Sequence, residues 1–298
     1  MRKIKLIDLY SGCGGMSLGF QNAGFEILSA YDNWQPAVEV YKKNFKHPIL
    51  NKDLAEPNIL KELKSFKADI IIGGPPCQDF SIAGKRNFNG HRANQTIVFS
   101  NLVTNILPKW FVMENVYNIE KSPVLELVIK DFKKAGYGIT KGVFDASLMG
   151  VPQARKRYFV IGKLKSKDDF LKDALHDSLS KKRLTVKDYL GDELKTKFYY
   201  MHPRSYNRRA IFSIEEPSST IRGVNRPIPE TYTPHSADKT KNIKSVRALT
   251  SKERSLIQTF PNGFEFIGTK SSIEQMIGNA VPVKMAEFVA RHIYSNFS

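Results

Sequence analysis

Apolar and polar positions in the first half of the chain fall into a repeating rhythm. A β-rich apolar run, Lys5 to Tyr10, precedes a segment of helical spacing, Met16 to Ala23, that ends near Gly24; a second run follows at Glu26 to Tyr31. Helical periodicity returns over Pro36 to Asn44, Ile70 to Ile72 reads as a buried strand closed by Gly73, and Val98 to Leu107 as a helix before a strand at Trp110 to Met113. Short β-branched runs alternating with longer segments of period 3.6 predict βαβ units and a parallel sheet. Leu125 to Ala135 predicts a further helix, and Tyr137 to Asp145 and Arg157 to Gly162 predict strands added antiparallel at the sheet edge. In an open α/β sheet the ligands sit off the carboxyl ends of the strands, which gathers the loops after Tyr10, Tyr31, Ile72 and Met113 around one site.

After about residue 163 the rhythm is lost, and KKRLTVKDYLGDELKTKFYYMHPRSYNRR is charged, with short strand-like pieces. This predicts a second, smaller domain. From about Ile273 a glycine turn and an apolar-periodic helix, Val283 to Tyr294, are expected to pack back on the first domain. The length, 298 residues, agrees with about two domains. No run approaches the roughly 18 apolar residues that cross a bilayer, and MRKIKLIDLY turns acidic too soon for a signal peptide. A soluble, cytoplasmic protein without a membrane segment is expected.

Charge narrows the partner. Lys and Arg number 46 against 29 Asp and Glu, a net charge of +17, which favours a polyanion. Nucleic acid is preferred to a membrane surface because no basic amphipathic anchor helix is evident. The cysteines, Cys13 and Cys77, are too few for a disulfide framework or a four-cysteine zinc site, so no metal is expected and a functional cysteine would act chemically.

The candidate chemistry lies at the predicted strand ends. DLYSGCGGMSLGF places Gly12, Gly14 and Gly15 between a strand and a helix, where backbone N–H groups can approach a ligand; Ser17 at the third glycine position of a dinucleotide fingerprint weakens hydride chemistry. Asp32 ends the next strand, where a carboxylate can accept from ribose hydroxyls, and Asp53 follows another strand-like piece, so an adenosyl ligand is suggested. GGPPCQDFSIAGKR presents Cys77 at the sheet's carboxyl edge, with Lys85 and Arg86 near enough in sequence to favour the thiolate. VMENV puts Glu114 and Asn115 at the following strand end, and Arg155 and Arg157 alternate in PQARKRYFVIG, sharing one face of an extended segment. An isolated cysteine is more often buried core, and two alternating arginines suit a solvated edge strand equally well.

In these residues the chain resembles the cytosine-5 DNA methyltransferase family. DLYSGCGG, GGPPCQDFS, ENV, PQARKRYFVIG, RALTSKERSLIQTFP and QMIGNAVP follow the family's motif order over nearly the whole chain. The resemblance implies an S-adenosylmethionine-dependent methyltransferase fold, a Rossmann-like mixed sheet, with a smaller irregular β-containing target-recognition domain. It implies a catalytic and cofactor domain over 1–165 plus 272–298 and a recognition domain over 166–271. The implied cofactor residues are Tyr10, Gly12, Cys13, Gly14, Gly15, Asp32, Asn33, Asp53, Leu54, Gly73 and Asn279. Cys77 would attack carbon 6 of a flipped cytosine, Glu114 would protonate ring nitrogen 3, and Arg155 and Arg157 would orient the base and a neighbouring phosphate. Gln78, Ser81, Lys85, Arg204, Arg208, Arg209, Thr220, Arg222 and Arg226 are the candidate DNA contacts.

The expected substrate is a short sequence in double-stranded DNA, modified by a monomer acting beside a restriction nuclease. A transfer-RNA substrate and a non-catalytic nucleic-acid-binding relative are the alternatives.

Overall fold

A computed structural model describes residues 3–76, 95–205 and 208–297. Cys77, Gln78, Ser81, Lys85 and Arg86 lie outside the described residues, as does Tyr206. The chain runs β1 (Lys5–Leu9), α1 (Gly15–Asn22), β2 (Glu26–Asp32), α2 (Gln35–Asn44), β3 (Ile49–Asn51), α3 (Ile59–Ser65), β4 (Ile70–Gly73), α4 (Gln95–Ile106), β5 (Trp110–Val116), α5 (Pro123–Lys134), β6 (Tyr137–Asp145), β7 (Gln153–Ala154) and β8 (Lys156–Leu164). These give a seven-stranded sheet in the order β3-β2-β1-β4-β5-β8-β6. β3 to β5 are parallel neighbours, and β8 is antiparallel to both β5 and β6. The chain winds outward from β1 to β3, then returns to β4, which opens a crevice at the carboxyl ends of β1 and β4.

The period of two sorts each strand between the sheet's faces. Leu6, Ile70, Ile72, Trp110 and Val112 pack with α1 and with Met285, Ala286 and Val289 of α10 (Val283–Ser295). Ile7, Leu9, Ile71, Phe111 and Met113 pack with α3, α4 and α5 on the other face. Leu171 and Leu175, the latter in α6 (Lys172–Asp177), belong to the first of these cores, so packing on the large sheet extends past residue 165.

The following segment holds α7 (Val186–Leu190), β9 (Phe198–Tyr200), β10 (Ile211–Ser213), β11 (Ser218–Ser219), β12 (Arg247–Ala248), α8 (Ser251–Ile257) and α9 (Lys270–Asn279). β10, β9 and β12 form a separate sheet, whose Tyr199 and Phe212 pack with Leu256, Ile257 and Ile277 of α8 and α9. The glycine turn expected from Ile273 is instead the second half of α9. Thr269 starts this helix by accepting from the Ser272 N–H. Gly278 lies within this helix, and a Cβ there would be 2.2 Å from the Arg222 carbonyl carbon, so the glycine admits a neighbouring backbone.

Candidate active site

The loop between β1 and α1 is held in an unusual conformation. Tyr10 has φ 57° and Gly12 φ 54°, in the left-handed region where a non-glycine residue is strained. The Tyr10 hydroxyl donates to Gln95 Oε1 at 2.8 Å, and its pKa is raised by burial and then by Asp53, which places the Asp53 carboxylate near it. Gly12 donates its N–H to Asp32 Oδ2 at 2.8 Å, and Trp34 N–H donates to Asp32 Oδ1 at 2.9 Å. Asp32 therefore first organises the loop; burial raises its pKa against the pull of these two donors. Among the described residues no atom lies within 4 Å of a Cβ at Gly12, whereas a Cβ on Gly14 would lie 2.3 Å from the Phe45 ring and one on Gly15 2.3 Å from Val281 O. One side of the loop is thus packed and the other offers a cradle.

The Gly15 contact brings the turn after α9 against the loop, with exposed Asn279 two residues from Val281. Asn33 is exposed beside Asp32, while Trp34 packs on the core beneath. Other candidates contribute differently from expectation. The Cys13 side chain is 2% exposed, its Sγ is 3.8 Å from Met276 O, and burial pushes its thiol up to about 12. Leu54 is likewise buried in the core, so both can meet a ligand only through backbone. A Cβ on Gly73 would lie 2.7 Å from Leu9 O, which makes that glycine a requirement of strand packing.

A second cluster forms at the ends of β5 and β8. Glu114 is 7% exposed, and Arg157 Nε lies 2.9 Å from its Oε1 as an ion pair. Burial raises the Glu114 pKa, and Arg157 and then Arg155 oppose the rise, so the carboxyl holds a proton more readily than an exposed one. Its Oε2 faces Gly74, 3.3 Å from a built Cβ. Next to it, Asn115 Nδ2 donates to Pro75 O at 3.0 Å. This bond pins the turn that leads into Cys77.

Arg155 does not share a face with Arg157. The strand breaks at Arg155 between β7 and β8, and its side chain is 0% exposed. Nη1 donates to Ile221 O at 2.9 Å and Nη2 to Gly278 O and Ala280 O at 3.0 Å, which makes Arg155 a positioning residue instead of a base or phosphate contact. Gln153 works beside it, accepting from Ile221 N at 2.9 Å and donating to Gln258 Oε1 at 2.8 Å, while Thr220 spends its hydroxyl on Ala154 O at 3.1 Å. Together with the parallel pairing of β11 on β7, these bonds fasten the Ser218–Arg222 segment to the active-site strands.

Among the arginines expected on DNA, Arg204, Arg208 and Arg226 are exposed. Arg222 is half-buried and donates to His202 O. Arg209 is removed from the set: it makes a bidentate pair with Glu216 at 3.2 and 2.9 Å and lies over the Phe212 ring at 4.4 Å. Residues that the sequence reading missed include Arg254 and Glu274, a buried ion pair behind Arg222, and Asp8 beneath the loop. Asp8 had a signal, a carboxylate inside the apolar run KLIDL; Arg254 and Glu274 had only a capping pattern nearby. Among the described residues no helix is long and apolar enough to cross a membrane, and no group of His, Cys, Asp and Glu is placed to hold a metal.

The family model for C-5 cytosine-specific DNA methylases matches residues 4–295. The chain is 57% identical over 292 residues to the Type II methyltransferase M.HindV of Haemophilus influenzae, covering 97% of this chain and 96% of that protein. It is 54% identical over 288 residues to M.HgiDI of Herpetosiphon aurantiacus, covering 96% and 93%. Among solved structures, the S. pombe Dnmt2 methyltransferase superposes with a TM-score of 0.77 at 19% identity, covering 100% of both chains. A DNA modification methyltransferase encoded within an E. coli prophage gives 0.69 at 23% identity, covering 98% and 99%. These distant structures speak to the fold, and the sequence matches to the family: the chain belongs to the C-5 cytosine-specific DNA methylases.

Proposed function

We propose that this DNA (cytosine-5)-methyltransferase moves a methyl group from S-adenosylmethionine to carbon 5 of a cytosine in a short double-stranded DNA sequence, as the modification enzyme of a Type II restriction–modification system in the cytoplasm. The observation that carries the reading is the buried Glu114–Arg157 pair facing the Gly74–Pro75 turn that leads to Cys77. S-adenosylmethionine supplies an electrophilic methyl group when bound. The cradle over Gly12, organised by Asp32, suits an adenosyl amino acid, and Tyr10, Asn33, Asp53 and Asn279 are the further residues that would hold it.

The remaining chemistry belongs to the chain. A pyrimidine carbon is a poor nucleophile until Cys77 adds to carbon 6 and Glu114 hands a proton to nitrogen 3, which leaves carbon 5 enamine-like. The raised pKa of Glu114 suits that donation, and Arg157 holds the carboxylate that remains. Loss of the carbon 5 proton, expulsion of Cys77 as thiolate and return of the nitrogen 3 proton to the Glu114 carboxylate restore the ring. A target inside a duplex has to leave the stack to reach such a site. Residues 1–165 with 272–298 then carry catalysis, joined in packing by Leu171 and Leu175, most of residues 166–271 carry recognition, and one chain suffices.

Transfer of tritium from methyl-labelled S-adenosylmethionine to unmethylated plasmid DNA tests the reading. Wild type should label DNA and not transfer RNA, while Cys77→Ser and Glu114→Gln should label neither. Labelling by Cys77→Ser at the wild-type rate would refute the covalent route.

A further inference from the structure

Beneath the cofactor loop, side chains from β1, α1 and α2 and from the turn before β3 join in one hydrogen-bonded chain. Ser17 Oγ lies 2.6 Å from Asp8 Oδ2 and 2.6 Å from Tyr41 Oη, which in turn lies 2.6 Å from His47 Nε2. Asp8, Ser17 and Tyr41 are buried, at 1%, 0% and 0% exposure, whereas the His47 ring is half-buried, so the chain runs from the interior to the surface. It also supports the loop, because a Cβ on Gly14 would lie 3.1 Å from Tyr41 Cδ2 and closer still to the Phe45 ring stacked on Tyr41.

Such a chain has two proton orders, since each hydroxyl carries one proton and the direction of one bond dictates the next. With Asp8 ionised, Ser17 donates to Asp8, Tyr41 to Ser17, and His47 Nε2–H to Tyr41. With Asp8 protonated, every bond reverses and Tyr41 donates to a bare Nε2, which leaves the imidazole proton on Nδ1.

The choice between the orders lies close to neutrality. Among the described residues Asp8 Oδ1 is buried without a hydrogen-bond partner, which penalises the ionised form. Burial pushes the Asp8 carboxyl up to about 7, with Asp32 of β2 adding to the rise; the residues paired with Asp8 on β2 and β4 are apolar Ala30 and Ile72. Ser17 of α1 and Tyr41 of α2 complete the groups that face it, and burial holds His47 down at about 4, so its ring is neutral in both orders.

Resting on the cofactor reading above, we infer that Asp8, Ser17, Tyr41 and His47 form a proton relay that matches the charge beneath the loop to that of the ligand on it. Asp8 gives up its proton when the cationic sulfonium donor occupies the loop and regains it when the neutral thioether product does. The Asp8 proton passes to Ser17 Oγ, the Ser17 proton to Tyr41 Oη and the Tyr41 proton to His47 Nε2, while the Nδ1 proton leaves to solvent. Ser17, Tyr41 and His47 end the transfer neutral, and Asp8 alone is left with a negative charge. Asp8 thereby favours donor over product through its charge, as a positioning group that need not touch either.

Titration calorimetry of S-adenosylmethionine and S-adenosylhomocysteine into the full chain at pH 7, in two buffers of different ionisation enthalpy, counts released protons. A carboxyl near pH 7 is half protonated there, so wild type should release up to about half a proton more with the donor than with the product, and Asp8→Asn should lose that difference. Nitrogen-15 spectra of His47 read the other end. Donor binding should move the ring from the Nδ1–H to the Nε2–H form in wild type and not in Tyr41→Phe, which keeps the ring under Gly14. Equal proton counts for the two ligands in wild type, or unchanged switching in Tyr41→Phe, would overturn the relay and leave the cofactor reading standing. Failure to bind either ligand would overturn both.

Discussion

Arg254 of α8 and Glu274 of α9 form an ion pair with side-chain exposures of 2% and 4%. Arg254 also donates to Arg222 O and reaches Val224 O at 3.5 Å, while Glu274 accepts from Asn225 Nδ2 and Ser251 Oγ, each at 2.8 Å. The pair thus anchors the backbone of residues 222–225, which carries Arg222 and exposed Val224 and leads into exposed Arg226. Burial pushes Arg254 down to about 10, so it stays charged at neutral pH. Arg254→Met leaves Glu274 buried with only neutral donors and should cost about 3–5 kcal/mol. Adding Glu274→Leu removes the stranded charge and should recover most of that loss. Urea unfolding followed by circular dichroism measures both. Cofactor affinity should stay within about twofold, because the loop before α1 is untouched, while discrimination between DNA sequences should fall in both variants. A cost for the single variant below about 1 kcal/mol, the range of exposed pairs, would refute the argument, as would a double variant no more stable than the single.

Other parts of the account make separate claims. Asn115→Ala frees Pro75 O and loosens the approach to Cys77; losing that one bond should lower kcat roughly ten- to hundredfold with little change in KM for DNA, in single-turnover and steady-state assays. Asp8 titrates higher in the folded protein than in the unfolded chain, so its stabilisation is present at low pH and is lost as pH rises from the ordinary carboxyl range through about 7. Between pH 5 and pH 8 wild type should lose roughly 2–3 kcal/mol of unfolding free energy relative to Asp8→Asn, and parallel pH curves would contradict the buried-carboxyl assignment. With a net charge of +17, DNA affinity should fall log-linearly with salt, and a flat response between 50 and 200 mM would exclude phosphate-dominated binding.

The large sheet was legible because β1, β4 and β5 are apolar runs buried on both faces, and the antiparallel pair at the edge announced itself as Tyr137 to Asp145 and Arg157 to Gly162. β9 to β12 span only two or three residues each, too few for a period of two to register, and their order depends on contacts far apart in sequence. The glycine loop and Glu114 stood out because strand ends concentrate ligand-facing groups. The fates of the arginines did not. Arg155 and Arg254 are buried on backbone carbonyls and Arg209 is spent on Glu216, whereas Arg204, Arg208 and Arg226 are exposed, and residue type alone carries none of that distinction. α9 was misread because a glycine in Gln275–Asn279 signals a turn unless a neighbouring backbone, here Arg222–Gly223, needs its space.

Bisulfite sequencing of genomic DNA from a methylation-free bacterial host expressing this chain, beside Cys77→Ser, tests the central claim most directly. The account predicts protected cytosines at one position of one short duplex sequence in the wild-type host and none with the variant. Full conversion of every cytosine despite soluble wild-type protein, or equal protection by Cys77→Ser, would contradict it.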